Sequence, residues 1–320
     1  MNNESICLTC PGPCGWILEK EDDFYRCSNP NCIHHQQGEW FLKANRAPIL
    51  ISEINCDTVC SVSAIREDSK NPFVKRNLIN NKLLKSFISF FKGDGADTRK
   101  KAENFISMMS ASNFTKKRIL VIGSGTKGLS TELLWDSQEV SITGIDIFET
   151  DTVDFICDAH YLPFASDSFD GVWIQAVLEH VVDPVKVVSE IYRVLSSEGI
   201  VYAESPFMQQ VHEGAYDFNR FTVLGHRYLF KSFDMIEMGG RESVGMPLAW
   251  SVRYLFWGIF RNQTIAKLLS APFFLLLPRL EFLVTEKMLF DSSSVVYFLG
   301  KKSHDIISQK DLIDLYKGLQ

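Results

Sequence analysis

Short runs of consecutive apolar residues alternate with longer amphipathic segments through the middle of the chain. Each run has the length of a buried strand, and the segments between the runs carry apolar residues at helical spacing. This alternation is typical of an α/β protein, in which helices cover both faces of a parallel sheet. The runs that predict strands are residues 118–122, 140–145, 153–157, 169–174 and 200–205.

The segments on either side of this alternation predict further elements. Before it, helical spacing predicts one helix over residues 72–91, and Asp97 can cap a second helix that continues to about Ser112. After it, the pattern predicts a helix near 222–233, a strand near 235–244, an apolar helical insertion at about 247–290 and a last strand over 294–300.

Within the apolar insertion, residues 268–278 form a stretch without charges. A membrane span needs about 20 apolar residues, so this stretch is too short, and Pro272 and Pro278 interrupt any helix there. We therefore expect a buried helical pair. A surface that lies on lipid and a dimer interface are the alternatives.

Composition and charge narrow the class of protein. A chain of 320 residues suggests two domains, and its 46% hydrophobic content can fill a full-sized core. The formal net charge of −6 argues against general nucleic-acid binding, which requires a basic face. The first residues, MNNESICLTC, lack the basic start and apolar core of a signal peptide, so we expect a cytoplasmic protein.

A glycine-rich turn follows the first run of the alternation. The segment VIGSGTKG contains Gly123, Ser124, Gly125 and Gly128, and the next run ends in a carboxylate, Asp146. Glycines allow a sharp turn and a close approach of the backbone to a nucleotide, and the acid can bind ribose hydroxyls. This pattern is weak by itself, because it serves NAD-dependent oxidoreductases as well as enzymes that use S-adenosylmethionine.

Two later motifs distinguish these possibilities. The segment from Asp158 to Phe164 reads D-A-H-Y-L-P-F, and S-F-D-G-V at 168–172 leads to L-E-H at 178–180. With these motifs in this order, the chain closely resembles class I S-adenosylmethionine-dependent methyltransferases, in particular the type-11 methyltransferase domain. The resemblance implies a Rossmann-like, seven-stranded, mostly parallel sheet and methyl transfer from S-adenosylmethionine.

The resemblance also implies which residues bind the cofactor. They are Gly123, Ser124 and Gly125 at its methionine part, Asp146 at the ribose, Ile147 beside the adenine, Asp158 and Ala159 at the adenine edge, and Gln175 in the methyl-donor pocket. Apart from the resemblance, we expect Gly128 to allow close packing of helix and strand. We expect His160 and His180 to be structural, since a lone histidine is seldom a catalyst.

Cysteines near the start of the chain have the spacing of a metal site. Cys10 and Cys14 form one close pair, and Cys27 and Cys32 form another. Two such pairs fit a tetrahedral zinc, which would be structural because four protein ligands leave no position for water. Cys7 is an alternative to Cys10 or Cys14, His34 is an alternative to Cys32, and free reduced cysteines remain a further alternative.

The N-terminal segment as a whole also resembles a known type of domain. From Cys10 to Cys32 it resembles the zinc ribbon of the activator subunit of tRNA and protein methyltransferases. We therefore expect a zinc ribbon-like domain over residues 1–60, a helical lead-in over 61–115, the methyltransferase domain over 116–303 and a tail over 304–320.

The loop after the fifth predicted strand is the candidate acceptor site. In the class I fold the loops at the carboxyl ends of strands four and five face the sulfonium, and this loop is rich in polar and aromatic residues. His212 is the candidate base for a hydroxyl acceptor, and Glu213 and Asp217 are rivals or could orient its imidazole. Tyr216 and Arg220 could dock a sugar or a phosphate. Alternatively, the loop only packs and caps the fold.

Two segments suggest the kind of acceptor. The stretch E-S-P-F…H-E-G-A-Y-D-F-N-R-F-T over 204–222 and W-S-V-R-Y over 250–254 resemble methyltransferases of bacterial surface-polysaccharide clusters. This resemblance implies a small-molecule or glycan acceptor, with a lipid-linked saccharide as one possibility, and methylation at oxygen or nitrogen. The zinc ribbon suggests methylation of RNA or a translation factor instead. A non-catalytic partner protein is the alternative of another class.

Overall fold

The computed structural model describes the chain in two compact units. The first consists of Met1–Asn77, Ala102–Ile174 and Asp183–Val201, and the second of Leu78–Lys101, Gln175–Val182 and Tyr202–Gln320. The described residues are 6–21, 24–36, 47–54, 56–66, 96–110, 116–125, 132–241 and 244–320. The helix predicted over 72–91 and the packing role predicted for Gly128 lie outside these residues.

Parallel strands form the sheet of the first unit, as the apolar runs predict. Its strand order is β3-β6-β5-β4-β7, and all of these strands pair in parallel. Parallel sheets have both faces covered, which explains why these strands are continuous apolar runs. The strands are β3 Ile49–Leu50, β4 Lys117–Ile122, β5 Val140–Asp146, β6 Phe155–Cys157 and β7 Phe169–Gln175.

Strand β3 comes from the N-terminal segment. Ile49 and Leu50 pair in parallel with Ile156 and Cys157 of β6, and both apolar side chains are buried. The same segment contains a β-hairpin of β1 (Leu18–Glu21) and β2 (Phe24–Cys27), and the short helices α1 (Ile33–Gln36) and α2 (Val62–Arg66). The segment thus adds β3, which is not among the predicted strands, to the parallel sheet of the first unit.

Aromatic rings fill the core of the first unit. Phe164 makes edge-to-face contacts with Phe155 at 5.7 Å and with Phe169 at 5.1 Å between ring centroids. The helix predicted from Asp97 forms as α3 (Ala96–Ser110), and its Phe105 packs edge-to-face on Trp173 of β7. The described residues of this unit also form α4 (Glu132–Asp136) and α5 (Pro184–Val194).

Local sequence fixes where α5 begins. The Asp183 side chain accepts a hydrogen bond from the backbone N–H of Lys186, and Pro184 occupies the first helical position. An acidic N-cap satisfies a backbone donor at the helix start, and proline there lacks only an N–H that would have had no intrahelical partner. The buried face of the helix consists of Val187, Val188, Ile191 and Val194.

The second unit contains strands in the order β8-β10-β9, where β9 and β10 are antiparallel. Gly240 of β9 is required here, because a Cβ atom at this position would lie 2.0 Å from the carbonyl oxygen of Leu289. The elements are β8 (Leu195–Pro206), which begins in the first unit, α6 (Val223–Leu229), β9 (Phe233–Arg241), α7 (Gly245–Phe260), α8 (Gln263–Leu276), α9 (Glu286–Ser292), β10 (Val295–Lys302) and α10 (Gln309–Asp314).

The apolar insertion forms a helical hairpin of α7 and α8, followed by a 3₁₀ segment, Leu277–Leu283. Contrary to expectation, α8 continues through Pro272. Contrary to the expectation of a buried pair, much of its apolar surface is exposed. Leu268 is 74% exposed and Phe282 80% exposed, whereas the side chains of Ala266 and Ser270 are buried. Two small residues of α8, Ala266 and Ser270, thus lie inside, while Leu268 lies outside. No described helix has the length and apolar character needed to cross a membrane.

Candidate functional site

The glycine turn lies at the carboxyl end of β4. Gly123 has a φ of 80°, in the left-handed region that favours glycine. The N–H groups of Gly123 and Ser124 both donate to the carbonyl of Ile145, each at 3.0 Å, which ties the turn to the neighbouring strand β5. Ser124 is buried and its hydroxyl donates to the carbonyl of Thr152. The predicted loop residues therefore lie next to Asp146, the last residue of β5.

The carboxylate of Asp146 is held by backbone donors. Its Oδ2 accepts from the N–H of Gly125 and its Oδ1 from the N–H of Ile147, both at 2.7 Å. A Cβ at Gly125 would lie 2.6 Å from Asp146 Oδ2 and 2.5 Å from Phe148 Cζ. Only glycine therefore fits between the carboxylate and the aromatic ring. This arrangement fits the close backbone approach and the acid that the sequence pattern predicts for a nucleotide ligand.

Asp158 lies just beyond β6, where it is nearly buried. Its Oδ1 accepts hydrogen bonds from the backbone N–H and from Nδ1 of His160, and its Oδ2 accepts from the hydroxyl of Thr58. Burial alone would raise the pKa of this carboxyl, but the hydrogen bonds from His160 and Thr58 lower it. Asp158 is thus held as an anion at the sheet edge where Asp146 also lies, and Ala159 beside it is buried.

His160 is a structural residue in this arrangement. Its Nδ1 binds Asp158, and its Nε2 accepts from the N–H of Asp183, the N-cap of α5. Both ring nitrogens are therefore used within the protein, which agrees with the role expected for His160.

Gln175 ends β7, and its side chain belongs to a buried polar network of the second unit. Its Nε2 donates to Oε1 of Glu204 at 3.1 Å. The other oxygen of Glu204 accepts from Tyr202 Oη at 2.7 Å and from Arg241 Nη1 at 2.6 Å. Arg241 also donates to the hydroxyl of Thr98. A fixed network thus orients the side chain that the resemblance assigns to the donor pocket.

The candidate acceptor loop is organised around Asp217. Arg220 binds both carboxylate oxygens of Asp217, and the backbone N–H of His212 donates to Oδ2 at 2.7 Å. Burial alone would raise the pKa of Asp217, but the hydrogen bonds from Arg220 and His212 lower it. His212 Nδ1 lies 3.3 Å from Asp217 Oδ2 and 3.4 Å from Arg220 Nη2. The structure therefore places Asp217 where it can orient the imidazole, one of its two predicted roles.

Glu213 takes part in the loop through its backbone. Its φ of 47° is in the left-handed region, which is uncommon for a residue other than glycine. It is the N-cap of the 3₁₀ segment Gly214–Tyr216. This turn brings the carbonyl of Tyr216 to His180 Nδ1, at 2.7 Å.

A buried carboxylate adjoins His212. Glu179 has no exposed surface, and its Oε1 lies 3.6 Å from His180 Nε2 and 3.8 Å from His212 Nε2. Burial raises the pKa of Glu179 to about 8. Burial, followed by the nearby His180, lowers the pKa of His212, so the imidazole is neutral near pH 7. The two histidine rings are edge-to-face, with their centroids 4.8 Å apart.

The sequence analysis did not single out Glu179, and it assigned His180 a structural role only. The sequence does show the adjacent pair Glu179-His180 and a further histidine, His212, in a polar loop. It does not show that the three side chains lie close together, because this depends on the turn of the loop at Glu213.

The four predicted cysteine ligands converge in the first unit. The sulfur atoms of Cys10, Cys14, Cys27 and Cys32 all lie within 4.8 Å of one another. Sulfur ligands about 2.3 Å from one zinc ion lie about 3.8 Å apart, so this donor set fits the metal. Among the described residues the cluster includes neither Cys7, which is exposed, nor His34, whose Nε2 is hydrogen-bonded to Ser52 Oγ.

Backbone donors support the cysteine cluster. The N–H groups of Gly12, Trp16 and Asn29 hydrogen-bond the cysteine that lies two residues earlier in each case. Hydrogen bonds of this kind favour the thiolate form that binds metal.

The fold and the glycine loop define a Rossmann-like α/β protein of the class I methyltransferase type. Residues 120–203 match the sequence model of a family described as "Methyltransferase domain". The chain thus carries an S-adenosylmethionine-dependent methyltransferase domain and is an enzyme of this class. The methyltransferase prediction is confirmed, in place of the oxidoreductase and non-catalytic alternatives. Comparison with curated proteins found no match.

Several solved structures have a similar fold. A putative sarcosine dimethylglycine methyltransferase from Galdieria sulphuraria is 15% identical over 66% of this chain and 87% of its own, with a TM-score of 0.44. A SAM-dependent methyltransferase from Archaeoglobus fulgidus is 16% identical over 69% of this chain and 100% of its own, with a TM-score of 0.41. A third is a complex of a Haloferax volcanii methyltransferase activator with a putative methyltransferase, 18% identical over 68% of this chain and 95% of the matched chain, with a TM-score of 0.41.

The cysteine cluster predicts that Cys27→Ser lowers the zinc content of the purified protein by about one ion per chain, because a tetrahedral site loses one of its four ligands. Inductively coupled plasma mass spectrometry measures this. Cys7→Ser is the matched control and should retain the wild-type zinc content. Equal zinc in both variants would show that the cluster does not hold the metal.

The donor site predicts that Gly125→Ala weakens S-adenosylmethionine binding by about tenfold or more, because the new methyl group displaces the Asp146 carboxylate or the Phe148 ring. Isothermal titration calorimetry gives the affinity. Gly258→Ala is the control, since a Cβ there would meet nothing within 4 Å. Unchanged binding in Gly125→Ala would exclude this turn from the cofactor site.

Proposed function

We propose that this enzyme methylates a hydroxyl oxygen, or an amine nitrogen, of a lipid-linked glycan on the cytoplasmic side of a membrane. The observation that supports this proposal is the hydrogen bonding between the candidate acceptor loop and the exposed apolar hairpin. Tyr254 Oη of α7 donates to the carbonyl of Val211, and Gln210 Nε2 donates to the hydroxyl of Ser251 in α7. The residues directly before His212 are therefore attached to the apolar hairpin.

The surface of the hairpin suits contact with lipid. Large apolar side chains on α7, α8 and the following 3₁₀ segment are more than half exposed, more than a soluble monomer usually leaves uncovered. Arg253, Arg261, Lys267 and Arg279 lie along the same elements, and anionic lipid headgroups attract such basic residues. The most exposed apolar residues of these elements are Leu255, Ile259, Leu268, Leu276, Phe282 and Leu283. A lipid-linked acceptor would have its apolar part there and its saccharide at the loop.

The acceptor loop contains groups that suit a saccharide. His212 would activate the acceptor hydroxyl, with Asp217 holding its imidazole in place. Arg220 fixes Asp217 and the carbonyls of Gln209 and Gln210, so the loop is held in one conformation before an acceptor binds. Bound S-adenosylmethionine supplies an electrophilic methyl group on sulfur. Gly123, Ser124, Gly125, Asp146, Ile147, Asp158, Ala159 and Gln175 would hold it.

The cysteine cluster would serve the structure of the enzyme. Four thiolates would complete the coordination of a zinc ion and leave no position for water. We therefore assign it no step in methyl transfer.

The proposed acceptor predicts that lipid-linked saccharides in liposomes accept radiolabelled methyl groups at least about tenfold faster than the same saccharides released from lipid. The double variant Leu268→Ser/Phe282→Ser should lose this preference and its binding to anionic liposomes, since it removes apolar contact area. Ile313→Ser, at an apolar residue 67% exposed on α10, is the control.

Two outcomes would contradict the lipid-linked acceptor. One is an equal rate with both acceptor forms. The other is a wild-type dimer that the double variant dissociates in size-exclusion chromatography, because a second copy of the chain would then cover the hairpin.

The role of His212 predicts that His212→Ala lowers kcat by about 100-fold or more, since activation of an acceptor by a positioned group contributes about this much. Cofactor affinity measured by calorimetry should remain at the wild-type value. The exposed His304 provides the control variant, His304→Ala. A wild-type kcat in His212→Ala would remove this histidine from the reaction.

A further inference from the structure

Three side-chain atoms converge in the second unit without a hydrogen bond between them. One ligand atom from each of Glu179, His180 and His212 lies within 4.8 Å of the other two. Glu179 Oε1 is 3.6 Å from His180 Nε2 and 3.8 Å from His212 Nε2. A hydrogen bond between nitrogen and oxygen is about 2.7–3.2 Å long, so hydrogen bonding does not account for the convergence. Ligands about 2.1 Å from one metal ion lie on the order of 3–4 Å apart.

Hydrogen bonds at the Nδ1 atoms of the two imidazole rings affect whether the Nε2 atoms near Glu179 have a free lone pair. His180 Nδ1 must carry its proton, because its partner at 2.7 Å is the carbonyl oxygen of Tyr216, which can only accept. In the neutral ring, Nε2 then has the lone pair. His212 Nδ1 lies 3.3 Å from Asp217 Oδ2 and 3.4 Å from Arg220 Nη2, which can only donate. In the tautomer whose Nδ1–H points to Asp217, His212 Nε2 has a lone pair as well. Histidines that bind metals usually donate their second nitrogen to a carbonyl or carboxylate in this way.

The burial of Glu179 is the second, independent observation. Its side chain has no exposed surface, and neither carboxylate oxygen accepts a hydrogen bond from another described residue. A buried carboxylate without hydrogen bonds is unfavourable unless a cation or a proton compensates it. Arg220 interacts with Glu179 through its charge, but its guanidinium is already hydrogen-bonded to Asp217 and to the carbonyls of Gln209 and Asn219.

We propose that Glu179, His180 and His212 bind a divalent transition-metal cation. Two imidazoles and one carboxylate favour ions such as manganese, iron, cobalt or zinc over magnesium and calcium, which prefer oxygen ligands. The two histidine side chains are partly exposed, at 22% and 31%. Three protein ligands therefore leave coordination positions open toward the solvent side of the histidines, unlike the four-thiolate cluster of the first unit.

The cation would activate the acceptor, and this step depends on the proposed function. An acceptor hydroxyl bound to the ion loses its proton to water more readily, because the cation stabilises the alkoxide. The oxygen then forms a bond to the methyl carbon while the bond from that carbon to sulfur breaks. S-adenosylhomocysteine leaves, and one proton is released in total. His212 then acts as a ligand of the ion and does not itself accept the proton.

Manganese binding provides a direct test that does not depend on methyl transfer. The full-length protein is dialysed against EDTA and then titrated with Mn²⁺ under electron paramagnetic resonance detection. Mn²⁺ is the probe because thiolate sites prefer softer ions. We expect one site per chain in the wild type, weakened at least about 100-fold in His180→Ala and in Glu179→Gln. Cys27→Ser and His304→Ala should bind Mn²⁺ like the wild type.

Two controls keep the result interpretable. Circular dichroism and calorimetric binding of S-adenosylmethionine show that each variant is folded, and His180→Ala changes a partly exposed residue if Glu179→Gln fails to fold. Wild-type binding in the folded His180→Ala variant would overturn the proposal, as would the absence of Mn²⁺ binding in the wild type.

Activity separates this inference from the proposed function. Full methyl transfer after chelation, together with loss of transfer in His212→Ala, would leave the proposed function standing and overturn the cation site. Mn²⁺ binding that depends on His180, without transfer to any glycan, would support the cation site and contradict the glycan acceptor.

Discussion

The parallel pairing of β4 with β5 is the constraint on which the donor site depends. The two strands are in register from Lys117 opposite Val140 to Ile122 opposite Ile145. Parallel strands in register end at the same edge of the sheet, so the glycine turn after β4 meets the carboxylate at the end of β5. The two backbone donors to Asp146 follow from this geometry. β6 pairs with β5 in the same direction, which brings Asp158 to that edge as well.

Two buried glutamates of the second unit, Glu204 and Glu179, have the same side chain in different surroundings, and the surroundings decide the role of each. Glu204 accepts from Tyr202, Gln175 and Arg241, so its charge is compensated within the protein. It stabilises the second unit and orients Gln175. Glu179 is also buried but receives no comparable donors from the described residues. A carboxylate in the second situation is unfavourable for stability unless a proton or a cation compensates it, and the proposed cation site rests on this difference.

The exposed surface of the apolar hairpin is the packing feature on which the proposed acceptor rests. In α8 the small residues Ala266 and Ser270 face the protein, so α7 and α8 can pack closely, while Leu268 and its large neighbours remain exposed. Exposed leucine and phenylalanine on this scale require a partner or a lipid surface. Because α7 is hydrogen-bonded to the loop that carries His212, whatever covers the hairpin lies close to this candidate acceptor loop.

The sequence by itself determined the α/β class, the methyltransferase domain, nearly all of its strands and the four cysteines that converge. These features depend on local periodicity and on residues at fixed spacing, and both can be read from the sequence without knowing which segments pack together. The tertiary structure alone decided that the apolar insertion is exposed, because the period of a helix does not say which face finds a partner. It also decided that Glu179, His180 and His212 meet, since they are separated along the chain and only the left-handed turn at Glu213 and the hydrogen bonds of Asp217 bring them together.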